Sequence, residues 1–337
     1  MALKTYPVAV IGGGSAATMA ALRSVLNNED TLFYPGSQLD KKRSRALWVA
    51  KVENVPAHFG YKKGIEQPNK ETWEWIKNGP FAKKFHTQHG RGVAEMQKDS
   101  DGCFLLKDDQ EEWYRAEYVI LCTGIMDIQP HISGSIEPVF PYANLQTLDY
   151  CLRCDGHHVL GQKTGVIGHS NVTAWVTCML YERYECPQMH IFLHGRKDEF
   201  SSEVKELLEM YNVKVHPDEI VEIRGDKKKG ILASFLLANG EEVPIDFSFI
   251  SLGMIVYNQL AKDLGAKVDD REFVVTSEKG ETTVENLYVA GDLRAEVKKQ
   301  IYTAWDTAVD SADHINGKIR RRRRKENLER FRKQKKS

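Results

Sequence analysis

Val8-Ala9-Val10-Ile11-Gly12-Gly13-Gly14-Ser15-Ala16-Ala17 is the stretch whose reading decides the fold. Four apolar residues in a row read as a short strand buried on both faces, the pattern of a parallel sheet. The glycines make a tight turn, and Thr18 to Leu26 reads as a helix with small residues on its packing side. Gly12-x-Gly14-x-x-Ala17 between strand and helix is a dinucleotide fingerprint. Its glycines let a pyrophosphate approach the backbone, with Ser15, Ala16 and Ala17 at the positive end of the helix. The acid expected about 20 residues later, to hold a ribose, is missing. Thr31-Leu32-Phe33-Tyr34-Pro35-Gly36 contains none, and Glu29 and Asp30 precede that strand.

Further along, Tyr118-Val119-Ile120-Leu121 is a buried-type strand running into Cys122-Thr123-Gly124. A second strand and turn follow at Gly165-Val166-Ile167-Gly168, with a helix from about Val172 to Glu182 and a strand at Met189–Leu193. Phe247–Leu252 is another strand. Leu287-Tyr288-Val289-Ala290 leads into Gly291-Asp292 and a helix from about Lys298 to Ile315. Strands alternating with helices predict an α/β chain. Two nucleotide-type turns predict two Rossmann-like nucleotide-binding domains.

The chain has 337 residues, 42% hydrophobic and 28% charged, which suits about two globular domains. No apolar run is long enough to span a bilayer. The opening Met-Ala-Leu-Lys-Thr-Tyr-Pro has no apolar leader, and six cysteines do not make a disulfide scaffold, so a cytoplasmic location is expected. The formal net charge of zero hides an asymmetry: residues 318–337 carry twelve Lys/Arg against two Asp/Glu. That tail is read as a solvated arm or a docking element for an acidic partner. Nothing in the acidic remainder supports a nucleic-acid module.

Tyr150-Cys151-Leu152-Arg153-Cys154-Asp155-Gly156 supplies the chemistry. Sulfurs three positions apart can close a reducible disulfide, and the adjacent acid can supply or remove a proton. A zinc site is conceivable because His157 and His158 follow, but the long loop between ligand pairs is absent, and no metal is expected. A structural staple suits a cytosolic chain poorly. Cys103, Cys122, Cys178 and Cys186 read as packed small hydrophobes.

With these motifs in order, the chain resembles the low-molecular-weight thioredoxin reductases over nearly its whole length, to about Gly317. Gly36-Ser37-Gln38-Leu39 with Val52-Glu53-Asn54-Val55-Pro56 resembles the family's flavin-contacting loop. Cys122-Thr123-Gly124 resembles its domain crossover, and Cys151 to Gly156 its redox motif. Val289-Ala290-Gly291-Asp292 with Lys299-Gln300-Ile301-Tyr302-Thr303-Ala304 resembles its segment around the flavin's ribityl chain. The resemblance implies FAD held by residues 1–126 and 254–317. Gly12, Gly14, Ser15, Ala16, Ala17, Gln38, Leu39, Asn54, Thr123, Gly124, Gly291, Asp292, Gln300 and Ile301 would contact it. A central domain, 127–253, is then inserted into the first and carries the disulfide, and the basic tail spans 318–337. The resemblance also implies a homodimer, and roles for three residues. Cys154 would take electrons from the flavin, Cys151 would attack a thioredoxin-like partner, and Asp155 would move the proton.

The second turn departs from the family. Gly168-His169-Ser170-Asn171-Val172-Thr173 stands where NADPH users have Gly-x-Gly-x-x-Ala. Ser170 obstructs the backbone approach and Thr173 crowds helix against strand. Arg196 and Lys197 remain of the basic 2′-phosphate cluster, while Gly195 and Ser201 replace the others. The expected enzyme is therefore a flavin-dependent disulfide oxidoreductase whose donor is not standard NADPH. Some relatives take electrons from ferredoxin or hold a second FAD, and Gly168, His169, Ser170, Asn171, Arg196 and Lys197 would then meet a different nucleotide. The alternatives are an NADPH-dependent reductase with a divergent site, or a non-catalytic flavin and disulfide redox sensor.

Overall fold

The computed structural model of the chain describes residues 3–42, 44–45, 49 and 51–335. It divides into two compact units. The first comprises Met1–Leu47, Ile65–Ile125 and Val256–Ser337; the second comprises Trp48–Gly64 and Met126–Ile255.

The opening strand, Thr5–Ile11, is central to the first unit's sheet. It pairs in parallel with Thr31–Tyr34 on one side and Trp113–Leu121 on the other, with Val10 opposite both Phe33 and Ile120. Phe85–Thr87 and Leu287–Val289 extend the parallel set, and Val93–Lys98 with Phe104–Asp108 adds an antiparallel meander. The continuous apolar run is explained by burial on both faces. Val8 and Val10 join one core with Phe33 and Ile120, while Ala9 and Ile11 join the other with Leu32 and Val119. Helix Ser15–Leu26 lies against the C-terminal helix through Ala17, Ala20 and Ala21 on one side and Ala304, Ala308 and Ala312 on the other. Small side chains let the two helices and the sheet approach closely.

The sequence suggests that the last helix ends near Ile315. It runs unbroken from Ile301 to Gln334. The apolar stripe continues through Ala312 and Ile315 to Ile319, which is fully buried. Around it three basic residues are tied to the body of the unit. Lys318 pairs with Glu281, Arg322 with Glu117 and Arg323 with the buried Glu29. Only from Arg324 onward does the helix stand in solvent on every side. A single isoleucine among arginines carries little hydrophobic periodicity, so the docked turn is hidden in the sequence.

The second unit holds five parallel strands in the order Lys214–His216, Gln188–Phe192, Lys163–Ile167, Phe247–Ile250, Leu148–Asp149. An antiparallel meander of Ile220–Asp226, Ile231–Leu237 and Glu242–Pro244 adds Phe235 and Leu237 to the core around Ile167 and Phe192. Helix Asn171–Tyr184 follows the strand Lys163–Ile167. The expected architecture is present: two Rossmann-like parallel sheets, the second lying in sequence between the strands of the first.

Candidate functional site

The three glycines of the first turn do different work. A Cβ at Gly12 would strike the Cys122 carbonyl and one at Gly13 the Pro35 carbonyl, whereas nothing lies within 4 Å of a Cβ at Gly14. The first two therefore allow packing, and the third leaves an open face at the helix N-terminus. Helix Ser15–Leu26 has no side-chain cap at Gly14 and no acid in its first turn. Its leading amides can therefore serve an anion.

The Gly291 turn closes on the same place. A Cβ there would sit 2.7 Å from that of Ala16, and the Gly291 N–H donates to Thr307 Oγ1 at 3.0 Å. Asp292 faces Arg45 at 3.9 Å. Thr123 Oγ1 donates to the Tyr257 carbonyl at 2.6 Å, and the Tyr257 N–H returns to the Gly124 carbonyl at 3.1 Å. Gln300 is buried just before Ile301 opens the C-terminal helix. Beside it Lys299 donates to the Arg294 carbonyl at 2.6 Å and lies 3.8 Å from the centre of the Phe273 ring. Burial lowers the Lys299 pKa to about 8. Gln38 and Leu39 are exposed at the start of the short helix Gln38–Lys42. Asn54 belongs to the second unit. No acid stands at the end of Thr31–Tyr34, and the next one along the chain, Asp40, is engaged in a local turn. Its carboxylate accepts the Ser37 N–H at 2.8 Å and the Ser37 hydroxyl at 2.9 Å. The signal was the Ser-x-x-Asp spacing, a local turn motif.

In the second unit Cys151 and Cys154 are joined as a disulfide, with Cα atoms 5.3 Å apart. Cys151 caps the short helix Leu152–Asp155, and its carbonyl accepts the N–H groups of both Cys154 and Asp155 at 3.0 Å. Both cysteines are partly exposed, while Asp155 is buried. The aspartate thus follows Cys154 on the same short helix and is shielded from solvent. Its carboxylate lies within 4.8 Å of both the His158 ring and the Asp149 carboxylate.

His158, which spacing sets beside the cysteine pair, instead stands between two carboxylates. Nδ1 stands 3.1 Å from Asp149 Oδ2 and Nε2 2.6 Å from Glu53 Oε2. Its pKa is pushed up to about 9, first by the Asp149 hydrogen bond and then, against burial, by Glu53. Glu53 is held below the usual carboxylate range, chiefly by His158 and, against desolvation, also by His157. Burial raises the Asp149 carboxyl while His158 opposes it. Glu53 is 104 residues from His157 in sequence, so no local pattern could have paired them.

The second turn is closed by its own chain. Ser170 caps helix Asn171–Tyr184 by accepting the Thr173 N–H. Thr173 Oγ1 donates to the Ser251 carbonyl at 3.1 Å. A Cβ at Gly168 would meet Thr173 and the Ser251 carbonyl, so this glycine serves packing. Asn171 Oδ1 accepts the Ser201 N–H at 3.0 Å, and Ser201 caps helix Ser202–Met210. Ser201 therefore replaces a basic residue because it starts a helix. The His169 carbonyl accepts the Glu199 N–H at 2.9 Å. Arg196 and Lys197 are exposed on the loop beyond. Burial pushes the thiols of Cys103, Cys122, Cys178 and Cys186 above their ordinary pKa, which disfavours the thiolate.

Known proteins match this arrangement across the chain. A sequence-family profile described as pyridine nucleotide-disulphide oxidoreductase matches residues 6–312. Thioredoxin reductase of Bacillus subtilis is 26% identical, with 89% of this chain and 90% of that protein covered. Thioredoxin reductase of Listeria monocytogenes is 27% identical over 89% and 90%. The crystal structure of thioredoxin reductase from Streptococcus pyogenes superposes with a TM-score of 0.77 at 18% identity, covering 95% of this chain and 99% of that one. Among the described residues no helix is long and apolar enough to cross a membrane. The chain belongs to the pyridine nucleotide-disulphide oxidoreductase family, as a thioredoxin reductase-like oxidoreductase with a Cys151–Cys154 disulfide.

Proposed function

We propose that this protein reduces the disulfide of a thioredoxin-like partner through Cys151 and Cys154, with FAD as its resident cofactor and a donor other than standard NADPH. The observation that carries the reading is the Cys151–Cys154 disulfide, followed directly in the chain by the buried Asp155. The family implies FAD, and the first unit fits a dinucleotide, because Gly14 leaves open the uncapped start of helix Ser15–Leu26. Gly12, Gly14, Ser15, Ala16 and Ala17 would line the pyrophosphate. Gln38, Leu39, Thr123, Gly124, Gly291, Asp292, Gln300 and Ile301 would meet the remainder. Bound there, FAD stores the electron pair between donor and disulfide.

The protein's own residues account for the rest. After two-electron reduction of the pair, the Cys151 thiolate attacks one partner sulfur, forming a mixed disulfide and releasing the other partner sulfur as a thiolate. The Cys154 thiolate then attacks Cys151, restoring the disulfide and freeing the second partner thiolate. Asp155 donates the proton one leaving thiolate needs. The capped second turn supports a donor other than NADPH, since Ser170 already takes the Thr173 amide that a phosphate would use. The exposed basic helix beyond Arg324 suits an acidic protein donor such as ferredoxin. A Cys154→Ser variant tests the disulfide role. It should retain FAD, lose turnover and trap thioredoxin on Cys151 as a covalent adduct seen by mass spectrometry. Retained turnover, or an adduct on another cysteine, would refute it.

A further inference from the structure

Glu53, His157 and His158 bring three metal-ligating atoms to one point beside the disulfide, all within the second unit. Glu53 Oε2 lies 3.0 Å from His157 Nε2 and 2.6 Å from His158 Nε2. Around a tetrahedral zinc with bonds of about 2.0–2.1 Å, neighbouring ligand atoms are roughly 3.3 Å apart. Small side-chain rotations would open the cluster to that size. The His157 and His158 rings are 4.4 Å apart and tilted by 57°, so their Nε2 atoms converge without stacking.

A second feature behind the cluster points to a cation. His158 turns its other nitrogen, Nδ1, to Asp149, whose side chain is only 6% exposed. A ligating histidine that hands its second N–H to a buried carboxylate is the usual support of a zinc-bound imidazole, fixing tautomer and ring orientation. Asp149 thus holds Nδ1–H and leaves Nε2 facing Glu53. The His157 side chain is 52% exposed, which provides an entry path and a coordination position open to water.

We propose that Glu53, His157 and His158 form a binding site for a divalent first-row transition ion, Zn²⁺ foremost, with Asp149 as the residue that positions His158. Two imidazoles and one carboxylate suit this class of ion over Mg²⁺ or Ca²⁺, which prefer oxygen. The cysteines are not ligands, so the site exists in the oxidised protein. An ion there would tie the 51–64 segment to the turn Gly156–Val159 that follows the redox helix, joining two stretches of chain 104 residues apart.

The test is calorimetric titration of Zn²⁺ into flavin-loaded, chelator-stripped protein with the Cys151–Cys154 disulfide kept oxidised. The expected result is one ion per chain with a Kd of roughly micromolar or tighter. Glu53→Gln and His157→Asn should each weaken it at least about tenfold, and Asp149→Asn by roughly 10–100-fold although it removes no ligand atom. Mg²⁺ should not compete. Absence of stoichiometric Zn²⁺ binding by the unaltered protein would overturn the proposal. So would binding that persists unchanged in the Glu53→Gln, His157→Asn double variant.

Discussion

Ser170 Oγ accepts the Thr173 N–H at 3.4 Å and stands 3.2 Å from the Thr173 hydroxyl, so the helix start that could receive a phosphate is already satisfied from within the chain. The first turn is the opposite case, with Gly14 bare and its helix uncapped. One fold thus carries two nucleotide-type turns, one without a side-chain cap and one capped by its own serine.

Opening the capped turn should change the electron donor. The Ser170→Gly, Thr173→Ala double variant removes the cap and the crowding hydroxyl together. Glycine is nearly as good as serine at this capping position, so the first change costs only a few tenths of a kcal/mol. NADPH-driven flavin reduction, followed by loss of visible absorbance, should rise at least about tenfold over the unaltered protein. An unchanged rate would mean that the cap is not what excludes the nucleotide.

Gly12 and Gly14 should respond differently to alanine. At Gly14 the chain has room for a methyl group, so Gly14→Ala should leave apoprotein stability within about 0.5 kcal/mol while loosening FAD. At Gly12 the same change meets the Cys122 carbonyl and should destabilise the fold itself. Flavin retention after gel filtration, set beside chemical unfolding of the apoproteins, separates the two effects. Equal behaviour would argue against Gly14 facing a ligand.

Asp155→Asn keeps the size of the side chain and removes its acidity. Thiol–disulfide exchange with thioredoxin should slow by roughly 10²–10⁴-fold, the range for losing a general acid, with flavin content unchanged. Exchange at the original rate would assign the proton transfer to another group.

The start of the C-terminal extension should matter to stability and its end should not. Arg323 makes two hydrogen bonds to the buried Glu29, which also accepts from Asn316 at 3.1 Å. Arg323→Ala leaves that carboxylate underpaired and should cost about 1–3 kcal/mol, less than a fully buried pair because the arginine is half exposed. Deleting 328–337 should stay within about 0.5 kcal/mol in denaturant unfolding, because its described residues, 328–335, are all exposed.

What could be read from the sequence was what is local in it. The Val8–Ala17 turn and the Cys151–Cys154 pair each declare themselves within ten residues, and their strand, helix and disulfide follow. Ser201 is the instructive miss: as a lost basic residue it signals divergence, but its place before Ser202-Glu203-Val204 also marks a helix cap. Ile319 was hidden because one apolar side chain among arginines makes no period. The place of Glu53 beside His158 was invisible because 105 residues separate the two in sequence.

The most direct measurement is an anaerobic assay of thiol release from oxidised thioredoxin, run in parallel with NADPH and with an artificial one-electron reductant such as reduced viologen. The account predicts stoichiometric thioredoxin thiols with viologen and none above background with NADPH. Equal yields from NADPH would contradict the capped second turn, and no thiols from viologen would contradict the disulfide reductase itself.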